Sequence, residues 1–442
     1  MKIVVVGSGA REHALLRSLS KEGAHELFAV GSNPGIEELA TTIDGVVETD
    51  GVAIAKFAKT NSVDLVIVGP EAPLAAGVVD AINELAADVA VFGPTKAATE
   101  LEASKSFAKD IMTAAGVPTG GAVKCANMRE LVAALNNADS SVPYVVKADG
   151  LAAGKGVIVT TKKSEAEAHA SEVFHTGGFV ILEEYLDGPE FSQFFICDGK
   201  TAIALEPAQD FKRIFDDDKG GNTGGMGSYS PLDWLPTTTT DWMTKNVAQP
   251  VVDEMARRGT PFVGVLFAGL AYTSRGVKVI EFNVRFGDPE TQVILERLKS
   301  PLSKLLYAGA TGKLSEVESL KWSPEYFVNV VLASAGYPES SHKGDQITGI
   351  NAAKSKGAII LEAGTTFSGA DVGQIVTNGG RVLSVVAGGK TLELARNRAY
   401  NFAKQIKFWG QQYRTDIAKK AVGGEIKVLT NPDGSAISGA IE

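Results

Sequence analysis

Through the first hundred residues, short β-branched apolar runs alternate with stretches of helical period. Residues 3–6, 26–30, 63–68 and 89–92 read as strands, and their regular alternation with helices predicts a parallel sheet covered on both faces. Residues 101–115 carry a helical pattern closed by Gly116-Val117-Pro118, where glycine and proline together stop a helix. A compact βαββ-like stretch follows between about 125 and 189, with strands at 144–147, 156–160 and 179–183 around a helix at 164–174, and it reads as an inserted lid. A larger α+β unit runs to about residue 325. It contains a long glycine-rich stretch at 216–228, too polar for a core element, and a strand at 277–285. Strands at 327–333, 358–361 and 381–386 with a helix at 392–406 make a small C-terminal α+β unit.

Length agrees with this partition, since 442 residues at roughly 100 to 200 per domain hold about three units. The 43 basic against 52 acidic residues give a net charge of -9, which argues against nucleic acid or an anionic membrane as partner. Any phosphate site must therefore be built locally. Two cysteines, Cys125 and Cys197, provide neither a disulfide framework nor a metal cluster and suit a reducing compartment. No apolar run reaches the length of a signal peptide or membrane span, so a cytoplasmic protein is expected. Glycine is in excess, 48 residues gathered in a few short stretches, and those stretches carry the candidate chemistry.

Gly7-Ser8-Gly9-Ala10-Arg11-Glu12 follows the first strand and opens a helix, a setting in which backbone N–H groups can receive a phosphate. Glu12 stands where a dinucleotide fingerprint has its third glycine, and the second strand ends without an acidic residue for a ribose. A dinucleotide site, an ordinary tight turn and a contact to a smaller phosphorylated substrate all remain open. Gly69-Pro70-Glu71 lies past the third strand, where Glu71 is either a contact to hydroxyls or a solvated carboxylate. The segment from Lys147 through Gly150, Gly154, Lys155 and Gly156 is not a Walker loop, because its spacing is short and no Ser or Thr follows Lys155. Flanking strands make it a hairpin loop able to cover a triphosphate, while Lys147, a charge in an apolar strand, needs an anionic partner. Residues 180–190 leave an apolar strand for a turn, offering an extended edge to a base and Glu190 to a ribose, or simply crossing between units.

In the strand at 277–285 a period of two places Val277, Val279, Glu281, Asn283 and Arg285 on one face. Hard oxygens from Glu281 and Asn283 suit Mg²⁺, and Arg285 beside them suits a transferring phosphoryl group; a solvated face is the plainer alternative. Downstream, Asp288 is presented by a turn. Asp210 with two neighbouring cations precedes the glycine-rich stretch, whose glycines admit an anion if the stretch is not simply a surface loop. His13, His25, His169, His175 and His342 are scattered outside these motifs, so no nucleophile pair is apparent, and phosphoryl transfer by positioning and electrostatics is expected.

Six motifs in order resemble the ATP-grasp ligases and, within them, the phosphoribosylamine–glycine ligase family. They are residues 7–14, 69–74, 147–157, 222–227, 285–292 and 377–382. The resemblance implies a Rossmann-like N-terminal substrate domain at 1–102, an ATP-grasp body at 103–124 and 190–325, a lid at 125–189 and a C-terminal α+β domain at 326–442. It implies ligation of glycine to 5-phosphoribosylamine with ATP through a glycyl phosphate, and Mg²⁺ or Mn²⁺ as the metal. Lys105, Lys147 and Lys155, with Gly154 and Gly156, would hold phosphates; Glu183, Tyr185 and Leu186 would hold adenine, and Glu190 the ribose. Glu281 and Asn283 would bind the metal and Arg285 the acyl phosphate. Gly9, Arg11, Glu71, Asp288 and Arg381 would line the substrate pocket, with Asp210, Thr223 and Gly224 nearby. The chain departs from the family's usual pattern at Phe211, Phe215 and Gly221, all in one loop. The resemblance further implies a monomer or weak homodimer with small-molecule partners only. A related ATP-grasp ligase for another phosphoribosyl amine or an aminoimidazole, and a nucleotide-binding regulator without ligase activity, are the competing readings.

Overall fold

The computed structural model describes residues 1–150, 156–369 and 373–436; the expected phosphate contacts Gly154 and Lys155 lie outside the described residues. The N-terminal sheet is parallel, in the order Thr41–Thr42, Glu26–Val30, Lys2–Val6, Leu65–Val68, Ala90–Phe92. Alternation along its strands sorts the core. Ile3, Val5, Leu65 and Ile67 join Ala10, Ala14 and Leu15 of the first helix, whereas Val4, Val6, Val66 and Val68 join Ile54, Ala55 and Ile82 on the other face. The short polar strand at its edge was not visible in the apolar pattern.

The expected helix at 101–115 is two helices, Lys96–Ala103 and Lys105–Ala114, broken at Ser104, whose hydroxyl accepts the N–H of Phe107 at 3.2 Å. The lid is an antiparallel sheet in the order Ala122–Cys125, Val180–Glu183, Tyr144–Ala148, Val157–Thr160. Helices Met128–Asn137 and Lys163–His175 cover it, and Leu131, Leu135, Val146, Ala166, Ala170 and Leu182 form a core separate from the rest of the molecule. Its first strand and first helix add to the βαββ expectation.

A second antiparallel sheet runs Ala202–Ala204, Glu190–Asp198, Val263–Thr273, Gly276–Asn283. Its last strand corrects the expected phasing. Glu281 faces Gly269 while Val279 faces Leu270, so Ile280 is an extra residue, a β-bulge. Val277, Val279, Phe282 and Val284 therefore share the buried core, and Lys278, Glu281, Asn283 and Arg285 stand half-buried on the other face. A strict period of two cannot survive an inserted residue.

The glycine-rich stretch also differs from a surface loop. Arg213–Phe215 and Lys219–Asn222 form a hairpin, and Gly227–Ser230 is a fully buried strand. It pairs with Tyr326–Ala333 in a sheet ordered Gln209–Asp210, Gly227–Ser230, Tyr326–Ala333, Arg381–Gly389, Ile359–Glu362. Its polarity is satisfied internally, Ser228 donating to the Pro289 carbonyl at 2.6 Å and Ser230 to that of Pro207 at 2.8 Å. Among the described residues no helix is long and apolar enough to cross a membrane.

Candidate active site

The first glycine turn is occupied by its own helix. Glu12 folds back so that its carboxylate accepts the Gly9 N–H at 2.8 Å and pairs with Arg11, both side chains being buried. A Cβ on Gly69 would stand 2.1 Å from Glu12 Oε1, and one on Gly7 would stand 2.6 Å from Glu12 Cγ. The carboxylate thus fills the space above the turn and consumes a donor that a dinucleotide pyrophosphate would need. Arg11 also donates to the Phe286 carbonyl at 3.2 Å, which ties the turn to the segment after the bulged strand.

That segment carries Arg285, enclosed by carboxylates. Its Nε lies 3.1 Å from Glu71 Oε2 and its Nη2 lies 3.2 Å from both Glu102 Oε1 and Asn283 Oδ1. Burial opposes the guanidinium's charge, but Glu102 and Glu71 more than offset it and keep the group protonated. Burial draws the Glu71 carboxyl upward, yet Arg285 and Arg11 hold it below the usual carboxylate range. Glu102 escaped the sequence reading because it ends an ordinary amphipathic helix and meets Arg285 only through tertiary packing.

Under the lid, Lys147 finds its anion in the protein. Its Nζ is 2.8 Å from Glu183 Oε2 and donates to the carbonyl of the bulge residue Ile280 at 3.3 Å. Lys109 approaches the same carboxylate at 3.5 Å, while also donating to Thr119 Oγ1 at 2.8 Å and the Gly120 carbonyl at 3.3 Å. Lys105 begins the helix beside them, where its Nζ donates to the Gly150 carbonyl at 2.9 Å. Burial and then Lys147 lower its pKa, with Glu281 acting against them. Asp149, at the mouth of the second glycine loop, accepts the Lys105 N–H at 2.6 Å and the Ser106 hydroxyl at 2.6 Å, and so caps that helix. Beyond Glu183 the chain continues through exposed Tyr185 and half-buried Leu186 to exposed Glu190, with Glu184 N–H bonded to the Gly121 carbonyl at 2.8 Å. Gly156 closes the loop on its far side, its carbonyl accepting the Ala148 N–H at 2.7 Å.

Lys212 joins two expected site residues, reaching Glu190 at 2.7 Å and Asp210 at 3.4 Å. It holds the Glu190 carboxyl low, whereas burial raises that of Asp210. Glu290, buried and bonded to Ser192 at 2.9 Å, is raised by burial and then by Asp210. It lies within the motif at 285–292, where its sequence position alone does not distinguish it from its neighbours. Thr223 Oγ1 donates to the Lys212 carbonyl at 2.8 Å and accepts the Gly225 N–H at 2.9 Å. Of the departures, Phe211 lies under the Arg414 guanidinium at 5.0 Å, and Phe215 is exposed.

Gly9, Asp288 and Arg381, far apart in sequence, line one cavity of about 280 Å³ together with Ser8, Gly364 and Ser384. Arg381 Nη2 lies 3.1 Å from Asp288 Oδ2, and Nη1 donates to the carbonyls of Gly224 at 2.6 Å and Asp288 at 2.8 Å. Gln292 holds the other Asp288 oxygen at 2.7 Å, and Tyr337, another residue the motifs did not reveal, accepts the Gly224 N–H at 2.9 Å. Glu71 is not part of this lining; the residue before it, Pro70, packs against Gly7, which precedes the lining residues Ser8 and Gly9.

Glu281 and Asn283 present a carboxylate and an amide oxygen from one strand face. Among the described residues no cluster of three His, Cys, Asp or Glu forms a complete metal cage. Such a pair fits a hard divalent cation that draws most of its shell from water and nucleotide oxygens.

Residues 1–102 match the "Phosphoribosylglycinamide synthetase, N domain", residues 103–291 its "ATP-grasp (A) domain" and residues 327–420 its "C domain". The chain belongs to the phosphoribosylglycinamide synthetase family. Within it, this member is 53% identical over 427 residues to the phosphoribosylamine–glycine ligase of Streptomyces coelicolor, covering 96% of this chain and 100% of that one. The Mycobacterium tuberculosis ligase is 45% identical over 432 residues, 97% of this chain. A crystal structure of the Thermotoga maritima phosphoribosylamine–glycine ligase superposes with a TM-score of 0.79 at 30% identity, covering 95% of this chain and 100% of that one. Biotin carboxylase from Campylobacter jejuni, at 15% identity and a TM-score of 0.69, shares the fold.

Proposed function

We propose that the protein is an ATP-dependent ligase that joins glycine to 5-phosphoribosylamine, giving glycinamide ribonucleotide, ADP and phosphate in de novo purine biosynthesis. The observation that carries this reading is full-length membership of the synthetase family, whose relatives at 45–53% identity bear that activity in their names. The geometry is in keeping with it. A glycine carboxylate oxygen attacks the γ-phosphorus of ATP, the bond to the β-phosphate oxygen breaks, and ADP leaves. The amine nitrogen then attacks the acyl carbon, phosphate departs and the nitrogen gives up a proton. Lys105 and Lys147, with Gly154, Lys155 and Gly156 of the covering loop, are assigned to the phosphates of ATP. Adenine is assigned to the edge at Glu183, Tyr185 and Leu186, and its ribose to Glu190.

Glu281 and Asn283 would hold Mg²⁺ or Mn²⁺, which screens charge on the transferring phosphoryl group. Arg285 is the donor for the acyl phosphate. The shared cavity supports assigning Gly9, Asp288 and Arg381 to the phosphoribosylamine and glycine; Glu71, Arg11, Asp210, Thr223 and Gly224 are assigned to the same substrates by the family resemblance. In this division the body of residues 103–124 and 190–325 carries the chemistry, the lid of 125–189 covers ATP, and 1–102 and 326–442 enclose the acceptor. A monomer or weak homodimer in the cytoplasm, without nucleic acid or membrane, completes the proposal.

The test is ADP release with ATP and Mg²⁺, adding glycine and phosphoribosylamine singly and together. The expected result is release that depends on both. Release that does not require them jointly would refute the ligase reading.

A further inference from the structure

Arg285 cannot receive an acyl phosphate in the arrangement described. The Nε and Nη2 edge of a guanidinium is the fork that grips an anion through two parallel bonds. Here that edge is covered: Nε by Glu71 at 3.1 Å, Nη2 by Glu102 and Asn283 at 3.2 Å each, while Nη1 donates to the Phe286 carbonyl at 3.3 Å. The two carboxylates are not equivalent. Glu102 has its side chain 8% exposed, and its second oxygen accepts the Val284 N–H at 2.8 Å, so it is fixed to the backbone beside Arg285. Glu71 is 39% exposed and begins a short helix on the N-terminal sheet, next to the glycine turn that borders the cavity.

Resting on the ligase reading above, we propose that Glu71 is a lock on Arg285 that the acceptor opens. A ribosyl hydroxyl hydrogen-bonding to Glu71 competes for the oxygen that Arg285 holds, and the freed Nε–H then donates to the acyl phosphate while Nη2 stays on Glu102. Glu102 keeps the guanidinium in place throughout and acts as a positioning residue. The consequence is coupling. Without an amine, glycyl phosphate could only react with water, its carbonyl carbon taking hydroxide as phosphate leaves, and ATP would be spent without product. Locking Arg285 until the acceptor is present suppresses that loss at its first step.

The test measures glycine-dependent ADP release in the absence of amine. The wild-type protein should be slow, and Glu71→Gln, which keeps a hydrogen-bonding group but cannot pair with a cation, should be faster by about tenfold or more. In the wild type, ribose 5-phosphate at concentrations that competitively inhibit ligation should also raise amine-free ADP release, because it offers the hydroxyls without the nucleophile. It should have little effect on Glu71→Gln. Equal amine-free release in wild type and variant, with only the KM for phosphoribosylamine raised, makes Glu71 a plain substrate contact and overturns the lock. Glu102→Gln should lower kcat with and without acceptor alike; amine-free release as fast as that of Glu71→Gln would also overturn the assignment of two distinct roles. Failure of the wild type to release ADP with all substrates present would instead overturn the ligase reading.

Discussion

Replacing Glu183 with glutamine leaves a cation stranded in the lid. Lys147 and Glu183 have side chains only 5% exposed and sit 2.8 Å apart on adjacent strands, and in the variant Lys147 is left with neutral acceptors only, the glutamine oxygen and the Ile280 carbonyl at 3.3 Å. Lys109 is better protected, since it keeps Thr119 and Gly120 whatever happens at Glu183. Breaking a buried pair by removing one partner typically costs about 3–5 kcal/mol, much of it the penalty of the charge left behind. The lid has its own apolar core, so the loss should appear as local opening. Hydrogen exchange of the amides in strand Tyr144–Ala148 reads it, and that free energy corresponds to exchange faster by roughly two to almost four decades, up to the unprotected limit. ATP should narrow the gap, because its phosphates supply the missing anion. The double variant Glu183→Gln with Lys147→Met should recover most of the loss, since neither charge then remains buried. Exchange in the single variant within about threefold of wild type, under 1 kcal/mol, would show that Lys147 is solvated by another route and would refute the argument.

Glu281→Ala should abolish turnover, while unchanged kcat at saturating Mg²⁺ would remove the metal assignment. Gly225→Ala should cost roughly 2–4 kcal/mol of local stability and raise the KM for phosphoribosylamine, because φ is 109° there and the new Cβ would meet Pro289 Cδ at 2.3 Å. His13 is buried beneath the N-terminal sheet with Nδ1 accepting the Glu362 N–H at 2.9 Å, and burial, reinforced by Lys354 and Arg17, lowers its pKa to about 3. Above pH 6.5 both states are neutral, but as pH falls toward 3 the unfolded chain takes up a proton that the native imidazole refuses. Stability should therefore decline by up to about 1.4 kcal/mol per pH unit across that window, and His13→Asn should flatten the slope of thermal melts below pH 6.5.

Much of the scaffold was legible because simple burial rules govern it. The parallel N-terminal sheet buries both faces, and its strands announce themselves as continuous apolar runs. Gly227–Ser230 was not legible, because one tyrosine among glycine and two serines carries little hydropathy signal; its serines are satisfied by the carbonyls of Pro207 and Pro289, which lie elsewhere in the chain. The site shows the same division. Lys147 announced a need for an anion, but its partner Glu183 is set by strand pairing across the lid, and no local pattern distinguishes it from a phosphate. Glu102 and Lys109 gave no signal, as both are polar residues on amphipathic helices until the fold turns them inward.

The bulge at Ile280 ties these observations together. A regular strand would bury Glu281 and Asn283 with Val277 and Val279, at the full cost of desolvating them, or would expose the valines instead. The extra residue changes the phase midway, so Phe282 and Val284 continue the core face of Val277 and Val279 while Glu281, Asn283 and Arg285 join Lys278 on the other. The carbonyl of Ile280 itself accepts Lys147 from the lid. Deleting Ile280 would make the pairing regular with Glu281, Asn283 and Arg285 still on the site face, and would remove the carbonyl that accepts Lys147. Hydrogen exchange in the lid strand Tyr144–Ala148 should then be faster in this variant, whereas Glu281→Ala should lose activity and leave that exchange unchanged.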